Sequence, residues 1–205
     1  MNYFTQNAKD WDTPERLKRA DILTAGILDA LKPSKEMVGV DFGAGTGMVT
    51  IGVAKKVRHI TALDSSEGML GILRDKIKAL QITNISTAAV DIESGASGFK
   101  DLDFIVSTMT MHHVQNISAL TQVLYSMLKP GGTVVIVDLE PEDGTYHDND
   151  LESVWHKGFD KTQLTRIFAA AGFKNITIST VYNMEKKTKD GIIRVYPIFL
   201  LSAVK

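Results

Sequence analysis

Hydrophobic and polar positions alternate along this chain with two different periods. Between Pro14 and Leu31 apolar residues recur three or four positions apart, which is the spacing of one face of an α-helix, and Thr13 precedes the segment as a cap. Short apolar runs then alternate with further helical segments. The runs predict strands over 37–42, 59–63, 85–90, 103–108 and 133–139, and the segments between them predict helices over 48–56, 66–80 and 117–128.

The tail of the chain departs from this alternation. A helix over 161–171 is followed by strands over 176–182 and 193–204, and the polar turn around Asp190 that joins them is typical of an antiparallel pair. The earlier strands need crossover connections through helices, which make neighbouring strands parallel. We therefore predict an α/β fold with a doubly wound, Rossmann-like, mostly parallel sheet of seven strands, the last strand antiparallel and helices on both faces.

Chain length and charge restrict the number of domains and the classes of partner. The 205 residues favour a single domain over 1–205, in which the polar segment 140–160 is the longest loop. The 23 basic and 24 acidic residues are scattered along the chain, so we expect no broad positive field for nucleic acid. A short basic run near the C-terminus is flanked by acidic residues and predicts a solvated hairpin. Its members are Lys186, Lys187 and Lys189.

The chain has no cysteine, which excludes disulfides, thiolate metal ligands and a cysteine nucleophile and suits a reducing cytoplasm. Residues 1–12 lack the apolar core of a signal peptide, and no later run reaches membrane-spanning length. We expect a cytoplasmic protein without a membrane span.

A glycine-rich segment between the first strand and its helix is the main candidate for a ligand site. Residues 41–47, DFGAGTG, lie at the carboxyl edge of the predicted sheet, where open α/β sheets bind ligands. Glycines at alternate positions let the backbone approach a ligand, and the next helix offers free N–H groups. The third glycine comes one residue too early for a dinucleotide fingerprint, and no Gly-Lys-Ser/Thr ending for a triphosphate follows.

Residues 40–47, VDFGAGTG, resemble the first motif of class I S-adenosylmethionine-dependent methyltransferases. The resemblance continues in order through Asp64 at the end of the second strand, the Ser65 to Met69 run, Asp91-Ile92 after the third strand and the Lys129-Pro130-Gly131-Gly132 turn, and so covers 38–139. Within that family the chain is most similar to the small-molecule branch of the ubiquinone and menaquinone C-methyltransferases.

The resemblance implies S-adenosylmethionine as cofactor, with S-adenosylhomocysteine as product. The glycines would approach the methionine part, Asp64 would accept the two ribose hydroxyls, Asp91 would accept the adenine amino group, and Ile92 would pack on the ring. The cofactor-binding residues expected in this way are Asp41, Gly43, Ala44, Gly45, Gly47, Asp64, Ser65, Met69, Asp91, Ile92, Thr108 and Trp11.

The end of the fourth strand carries the candidate chemistry. Residues 107–114, STMTMHHV, are similar to the V-x-x-H-H-V segment of the small-molecule branch, which places Thr108 or His112 beside the transferring methyl group. If the acceptor must lose a proton, His112 is the candidate base, and Glu140 is expected near the acceptor. The Asn-Pro-Pro-Tyr signature of DNA adenine methyltransferases is absent here.

Two segments are expected to cover the site. Phe4, Ala8, Trp11 and Asp12 resemble the opening of the same branch, which predicts that 1–33 forms an N-terminal helical lid. The loop 140–160 is predicted to lie on the acceptor side, with Trp155-His156 in the acceptor pocket.

Other chemistries are less well supported. His147, Asp148 and His156 with His112 or His113 could assemble a zinc or iron site, but their spacing matches no standard ligand pattern, so we predict no metal. A nicotinamide-dependent oxidoreductase is disfavoured by the glycine spacing and by the lack of a Tyr-x-x-x-Lys pair. A non-catalytic domain that binds S-adenosylmethionine is the other alternative. We expect a small-molecule acceptor, whose identity and the oligomeric state stay open.

Overall fold

The computed structural model describes residues 3–90, 98–147 and 154–205. Its centre is one seven-stranded sheet with the order β3-β2-β1-β4-β5-β7-β6. Strands β1 to β5 pair in parallel, and β7 is antiparallel to both β5 and β6. The predicted fold class is confirmed, with the reversed strand one position in from the edge. The strands are β1 (Val38–Phe42), β2 (His59–Asp64), β3 (Ile85–Ala89), β4 (Leu102–Thr108), β5 (Leu128–Leu139), β6 (Lys174–Lys187) and β7 (Ile193–Val204).

Four of the helices begin at polar residues that cap their free N–H groups. Thr13 accepts from the backbone N–H of Arg16, and Ser66, Asn116 and Asp160 accept in the same way at three later helices. Ser66, rather than Ser65, is thus the cap in the second repeat. The helices are α1 (Tyr3–Asn7), α2 (Pro14–Leu31), α3 (Met48–Ala54), α4 (Glu67–Ala79), α5 (Ile117–Met127) and α6 (Lys161–Ala170), with short 3-10 turns at Ala8–Asp10 and Met111–His113.

Neighbouring residues of the central strands point to opposite faces of the sheet and enter different cores. Ile105 packs with α5 and α6, whereas Phe104 and Val106 on either side of it pack with α2 and α3. Both faces of the sheet are therefore covered, which explains the continuous apolar runs in β4 and β5.

Two strands are longer than the sequence predicts. β5 begins at Leu128, because Leu128 pairs with Leu102 and an irregularity in the ladder accommodates the next residues before Thr133 pairs with Phe104. β6 continues to Lys187, which pairs with Ile193. β6 is an edge strand, so polar residues at its solvent-facing positions end the apolar pattern without ending the strand.

Among the described residues, none of the helices combines the length and the apolar character that crossing a bilayer requires.

Candidate active site

Two neighbouring cavities open at the carboxyl ends of β1, β2 and β4, where the strand order changes direction between β1 and β4. The first, here called the glycine-loop cavity, lies over the loop from Gly43 to Thr46. Its lining includes Phe4, Trp11, Asp41, Gly43, Ala44, Gly45, Thr46, Asp64, Met69 and Thr108. Four residues border both cavities, namely Trp11, Arg16, Arg19 and Met109.

The backbone of the glycine loop requires glycine. Gly43, Gly45 and Gly47 have φ of +71°, +56° and +79°, a region that residues with a side chain rarely adopt. At Gly47 a Cβ would also lie 2.2 Å from Cδ1 of the buried Leu73, whereas at Gly45 a Cβ would meet nothing within 4 Å. The loop can therefore pack tightly on α4 and still leave room for a ligand above Gly45.

Asp64 holds the loop from the end of β2. Its carboxylate accepts from the N–H of Gly45 at 2.7 Å and from the N–H of Ser66 at 2.8 Å. Burial raises the pKa of Asp64, while these backbone hydrogen bonds oppose the shift. A carboxylate has about four lone-pair sites, so Asp64 keeps acceptor capacity for the hydroxyl groups of a ligand.

Asp41 forms a buried polar floor beneath the glycines. It is 1% exposed and accepts from Oγ1 of Thr50 at 2.6 Å. Burial raises its pKa to about 7; the Thr50 hydrogen bond lowers it, and the negative charge of Asp64 raises it further. Asp41 is therefore a titratable group whose charge depends on conditions near neutral pH.

Residues 3–12, here called the N-terminal segment, cover this cavity. Asp12 accepts from Oγ1 of Thr46 at 2.5 Å and forms an ion pair with Lys76, and Thr5 and Ser66 hydrogen bond through their hydroxyls at 2.9 Å. The enclosed volume that remains is about 120 Å³. The loop, α4 and the N-terminal segment thus form a connected cover.

The second cavity, here called the histidine cavity, is about 760 Å³ in volume. Among the residues that the structure describes, five cationic and two anionic side chains line it, together with a group of aromatic and histidine rings. The charged ones are Arg16, Lys18, Arg19, Lys186, Lys187, Glu15 and Glu185, and the rings are Trp11, His112, His113, Tyr146, His147 and Tyr182. A cavity with this excess of positive charge favours an anionic ligand.

Arg19 is one of two arginines that border both cavities. Its guanidinium donates to the sulfur of Met184 at 2.6 Å and to the hydroxyl of Tyr146, neither of which carries a negative charge. Burial raises the pKa of Tyr146, so the phenol stays neutral beside it. Lys186 lies over the Tyr146 ring at 5.2 Å. The basic run is therefore not simply solvated, since Lys186 and Lys187 line the cavity.

His112 is held by Asp138 in the core of the sheet. Nδ1 of His112 lies 2.6 Å from Oδ1 of Asp138, and the backbone N–H of His112 donates to Oδ2 at 3.2 Å. Burial acts to raise the pKa of Asp138, but the attraction and hydrogen bonds of His112 and the N–H of Leu139 hold that pKa below its usual value. An ionised Asp138 accepts the Nδ1–H, which leaves Nε2 of His112 as a free acceptor.

The rings of His113 and His147 pack against His112. Their centroids lie 4.1 Å and 4.7 Å from that of His112, and 5.5 Å from each other. Burial, followed by electrostatic repulsion from the His112 and His113 rings, lowers the pKa of His147 to about 3. In the part of the chain that the structure describes, Nε2 of His112, Nε2 of His147 and Oγ1 of Thr108 are buried without a hydrogen-bond partner.

Comparison with known proteins gives a family for this arrangement. A family model described as a methyltransferase domain matches residues 16–178. An uncharacterized methyltransferase of Schizosaccharomyces pombe is 25% identical over 153 residues, which cover 68% of this chain and 54% of that protein.

Among solved structures, a SAM-dependent methyltransferase of Aquifex aeolicus superposes with a TM-score of 0.71 at 19% identity, covering 98% of this chain and 97% of that one. Phosphoethanolamine N-methyltransferase 2 of Haemonchus contortus, in complex with S-adenosyl-L-methionine, superposes with a TM-score of 0.74 at 17% identity, covering 89% of this chain and 52% of that one. These likenesses show the fold.

The chain belongs to the methyltransferase domain family. This confirms the predicted class of S-adenosylmethionine-dependent methyltransferases and argues against the nicotinamide alternative. The narrower ubiquinone and menaquinone branch stays a prediction. The chain spans about half the length of curated relatives that it matches, with 54%, 54% and 58% for three of them.

Within this methyltransferase domain, most of the predicted cofactor residues come together. Asp41, Gly43, Ala44, Gly45, Asp64, Met69, Thr108 and Trp11 line the glycine-loop cavity, and Gly47 shapes the loop beneath it. Ser65 is exposed and outside that lining. Asp91 and Ile92, predicted to meet the adenine, lie outside the described residues.

The predicted acceptor-side residues are only partly brought together. His112 lines the histidine cavity, whereas Thr108 lines the glycine-loop cavity. Glu140 instead pairs with Lys161 at 2.8 Å, and His156 lies against the backbone carbonyl of Val114 at 3.0 Å. Trp155 is 56% exposed. These three residues are absent from the linings of both cavities.

Sequence reasoning missed Arg16, Arg19, Tyr146 and Asp138. One signal was available for Asp138, because a carboxylate within the apolar strand β5 has to find a buried partner. Arg16 and Arg19 are one helical turn apart on α2, but such a pair is common on solvated helix faces.

Proposed function

We propose that this chain transfers a methyl group from S-adenosylmethionine, held in the glycine-loop cavity, to a small anionic acceptor in the histidine cavity. The observation that carries the proposal is the shared wall of the two cavities. Trp11, Arg16, Arg19 and Met109 border both, so ligands in the two cavities would lie in contact.

The residues of the glycine-loop cavity fit the proposed cofactor. Asp64 has lone pairs left for the vicinal hydroxyls of a ribose, and the open space above Gly45 admits a ligand against the backbone. Oγ1 of Thr108 is a buried hydroxyl without a partner among the described residues, and Met69 and Phe4 supply apolar surface. When bound, S-adenosylmethionine supplies an electrophilic methyl group on a sulfonium.

The cavity must widen to admit such a ligand. Its volume of about 120 Å³ is below the roughly 300–1,000 Å³ of typical ligand pockets. The contacts that close it are the Asp12 bonds to Thr46 and Lys76 and the Thr5 bond to Ser66. We therefore infer that the N-terminal segment opens to admit the ligand and closes to exclude water, as a lid does.

The acceptor is assigned a negative charge because of the cations around the histidine cavity. Arg16 and Arg19 are half-buried on α2, and Lys186 approaches from β6. A carboxylate or phosphate between them would gain charge-assisted hydrogen bonds in a partly dry site. The contribution of the chain is then to hold the acceptor and the methyl group at attack distance, since displacement at a sulfonium needs little covalent help.

The test is a screen for release of S-adenosylhomocysteine with small carboxylic and phosphoric acids, each paired with its neutral amide or ester. We expect acids to be methylated in preference to their neutral partners. Arg19→Gln should raise KM for the acid by about tenfold or more, with a smaller effect on kcat, because a charge-assisted contact is lost. Arg166→Gln, an exposed arginine of α6 on the other face of the sheet, is the matched control and should change neither value.

Preference for the neutral partners, or an unchanged KM in Arg19→Gln, would contradict the anionic acceptor. Binding of S-adenosylhomocysteine without turnover of any compound would instead support the non-catalytic alternative.

A further inference from the structure

Three histidines from two separate segments meet at the inner wall of the histidine cavity. One nitrogen from each of His112, His113 and His147 lies within 4.8 Å of the other two. Adjacent His112 and His113 come from the 3-10 turn after β4, and His147 comes from the loop after β5. Such a set of imidazoles provides three nitrogen donors in a small volume.

Two of these nitrogens lack any hydrogen bond although they are buried. Nε2 of His112 and Nε2 of His147 are without a partner in the described parts of the chain, and His112 is only 1% exposed. A buried polar atom without a partner is unfavourable, because it has lost its hydrogen bonds to water. The position of both atoms inside one cluster of rings indicates a missing ligand shared between them.

Asp138 orients the ring of His112 towards this shared ligand. Its carboxylate accepts Nδ1–H of His112 at 2.6 Å, which fixes the ring and its tautomer and directs the Nε2 lone pair into the cluster. Histidines that bind metals usually donate their other ring N–H to a carboxylate or carbonyl in this manner, and the contact raises ligand basicity.

We propose that His112, His113 and His147 bind one divalent transition-metal ion at the wall of the histidine cavity. Zinc bonds to histidine are about 2.0–2.1 Å long, so ring rotations of His113 and His147 must bring the three nitrogens closer than they are here. Three histidines leave an open coordination position, as in catalytic zinc sites. This position would face the anionic acceptor, and the metal would polarise an acceptor oxygen.

The proposal departs from two expectations drawn from the sequence, namely that the chain binds no metal and that His112 is the candidate base. The spacing of 112, 113 and 147 matches no standard pattern, so only the fold brings these residues together. A lone pair bound to a metal is also unavailable as a base, so the site gives His112 a ligand role in place of proton transfer. Imidazole donors suit zinc, copper, iron and nickel, and among the described residues the cluster consists of imidazoles alone, without the oxygen donors that magnesium prefers.

The test is calorimetric titration of Zn²⁺ into the full chain, prepared without a histidine tag and treated with chelator, together with the visible spectrum of added Co²⁺. We expect one Zn²⁺ per chain and a tetrahedral Co²⁺ spectrum. His147→Ala and His113→Ala should each weaken Zn²⁺ binding by at least about tenfold, and Asp138→Asn by about 10–100-fold.

His59→Ala is the matched control, because His59 lies at the start of β2, the end of the strand opposite to the cavities. It should leave Zn²⁺ affinity unchanged. Circular dichroism and S-adenosylhomocysteine binding, which concerns the other cavity, verify the fold of each variant independently of metal and of turnover. Absence of stoichiometric Zn²⁺ binding, or equal affinity in His147→Ala, His113→Ala and the parent chain, would overturn the proposal.

Discussion

The two cavities differ in how much of their lining comes from one local segment of the sequence. The glycine-loop cavity is centred on one local segment, with three glycines of positive φ and the carboxylates of Asp41 and Asp64, and side chains such as Trp11 and Thr108 complete its lining. The histidine cavity is made of side chains from α2, from the turn after β4, from the loop after β5 and from β6. The centre of the first is specified by a short local motif, whereas the second is specified only by the completed fold.

This difference has a functional consequence. A glycine segment changes little when distant side chains are replaced, so one cofactor can be kept while the neighbouring cavity changes its ligand. Substitutions in the first cavity should therefore disturb folding and cofactor binding together. Substitutions in the second should mainly change which acceptor or ion is bound.

The largest effect is expected from Gly47→Ala. Its Cβ would take a left-handed backbone conformation and overlap Leu73, so we expect a loss of roughly 2–5 kcal/mol in the free energy of unfolding and of S-adenosylhomocysteine binding. Urea unfolding and calorimetry measure the two quantities. If the variant does not fold, Gly45→Ala, whose Cβ meets nothing within 4 Å, tests the binding alone.

The matched control is Gly191→Ala in the hairpin between β6 and β7. Gly191 has a similar φ of +83° and also open space around it. It should lose roughly 1–2 kcal/mol of stability from backbone strain and no affinity. If Gly45→Ala and Gly191→Ala bind the ligand equally well, the glycine loop is not a binding site.

The next effect concerns the pH dependence set by Asp41. Its pKa is about 7 in the folded protein against an ordinary 3.8. Between these values the folded state holds a proton that the unfolded state has lost, so stability from this group is present at low pH and declines as pH rises towards 7. Asp41→Asn should remove roughly 2–4 kcal/mol of this decline.

Urea unfolding at pH 5 and pH 8 checks this expectation. The asparagine variant should lose less stability than the parent chain between the two values, while Asp75→Asn on the exposed face of α4 should behave like the parent. An identical decline in Asp41→Asn would show that Asp41 is ionised at all these pH values.

The smallest effect is expected from Asp12→Ala in the N-terminal segment. Asp12 is only partly buried, so its ion pair with Lys76 should contribute about 1 kcal/mol or less to stability. Loss of the contacts to Thr46 and Lys76 should nevertheless speed both association and dissociation of S-adenosylhomocysteine several-fold. Stopped-flow fluorescence of Trp11, with Trp155→Phe as background, measures these rates.

The control is Arg74→Ala on α4, the helix that carries Lys76. This substitution breaks the exposed ion pair between Arg74 and Glu67. If Asp12→Ala changes neither rate, the N-terminal segment does not limit access to the cavity.

Features that depend on neighbours in sequence were predicted well. α2 (Pro14–Leu31) and β7 (Ile193–Val204) have the predicted bounds. The cap Thr13 and Pro14 mark the start of α2 locally, and the polar turn around Asp190 marks the start of β7. The start of β5 was wrong, since Gly131-Gly132 has the sequence of a turn but lies within the strand. Whether a glycine pair turns the chain depends on the pairing of Leu128 with β4, which is not a local property.

The contacts that form the histidine cavity were even harder to predict from local sequence. Arg19 and Met184 meet across 165 positions and His112 and Asp138 across 26. No period or motif connects such pairs. The sequence therefore indicated His112 as a candidate, and His147 only as part of a metal site that its spacing disfavoured, but it did not indicate the carboxylate of Asp138 that orients His112.

The central claim is that the glycine-loop cavity holds the adenosyl ligand through Asp64, and isothermal titration with S-adenosylhomocysteine and with NADH tests it most directly. We expect S-adenosylhomocysteine to bind, NADH not to bind, and Asp64→Ala to weaken the affinity by about tenfold or more through the loss of charge-assisted hydrogen bonds, whereas Asp75→Ala should have no effect. Preferential binding of NADH, or an unchanged affinity for S-adenosylhomocysteine in Asp64→Ala, would contradict the claim.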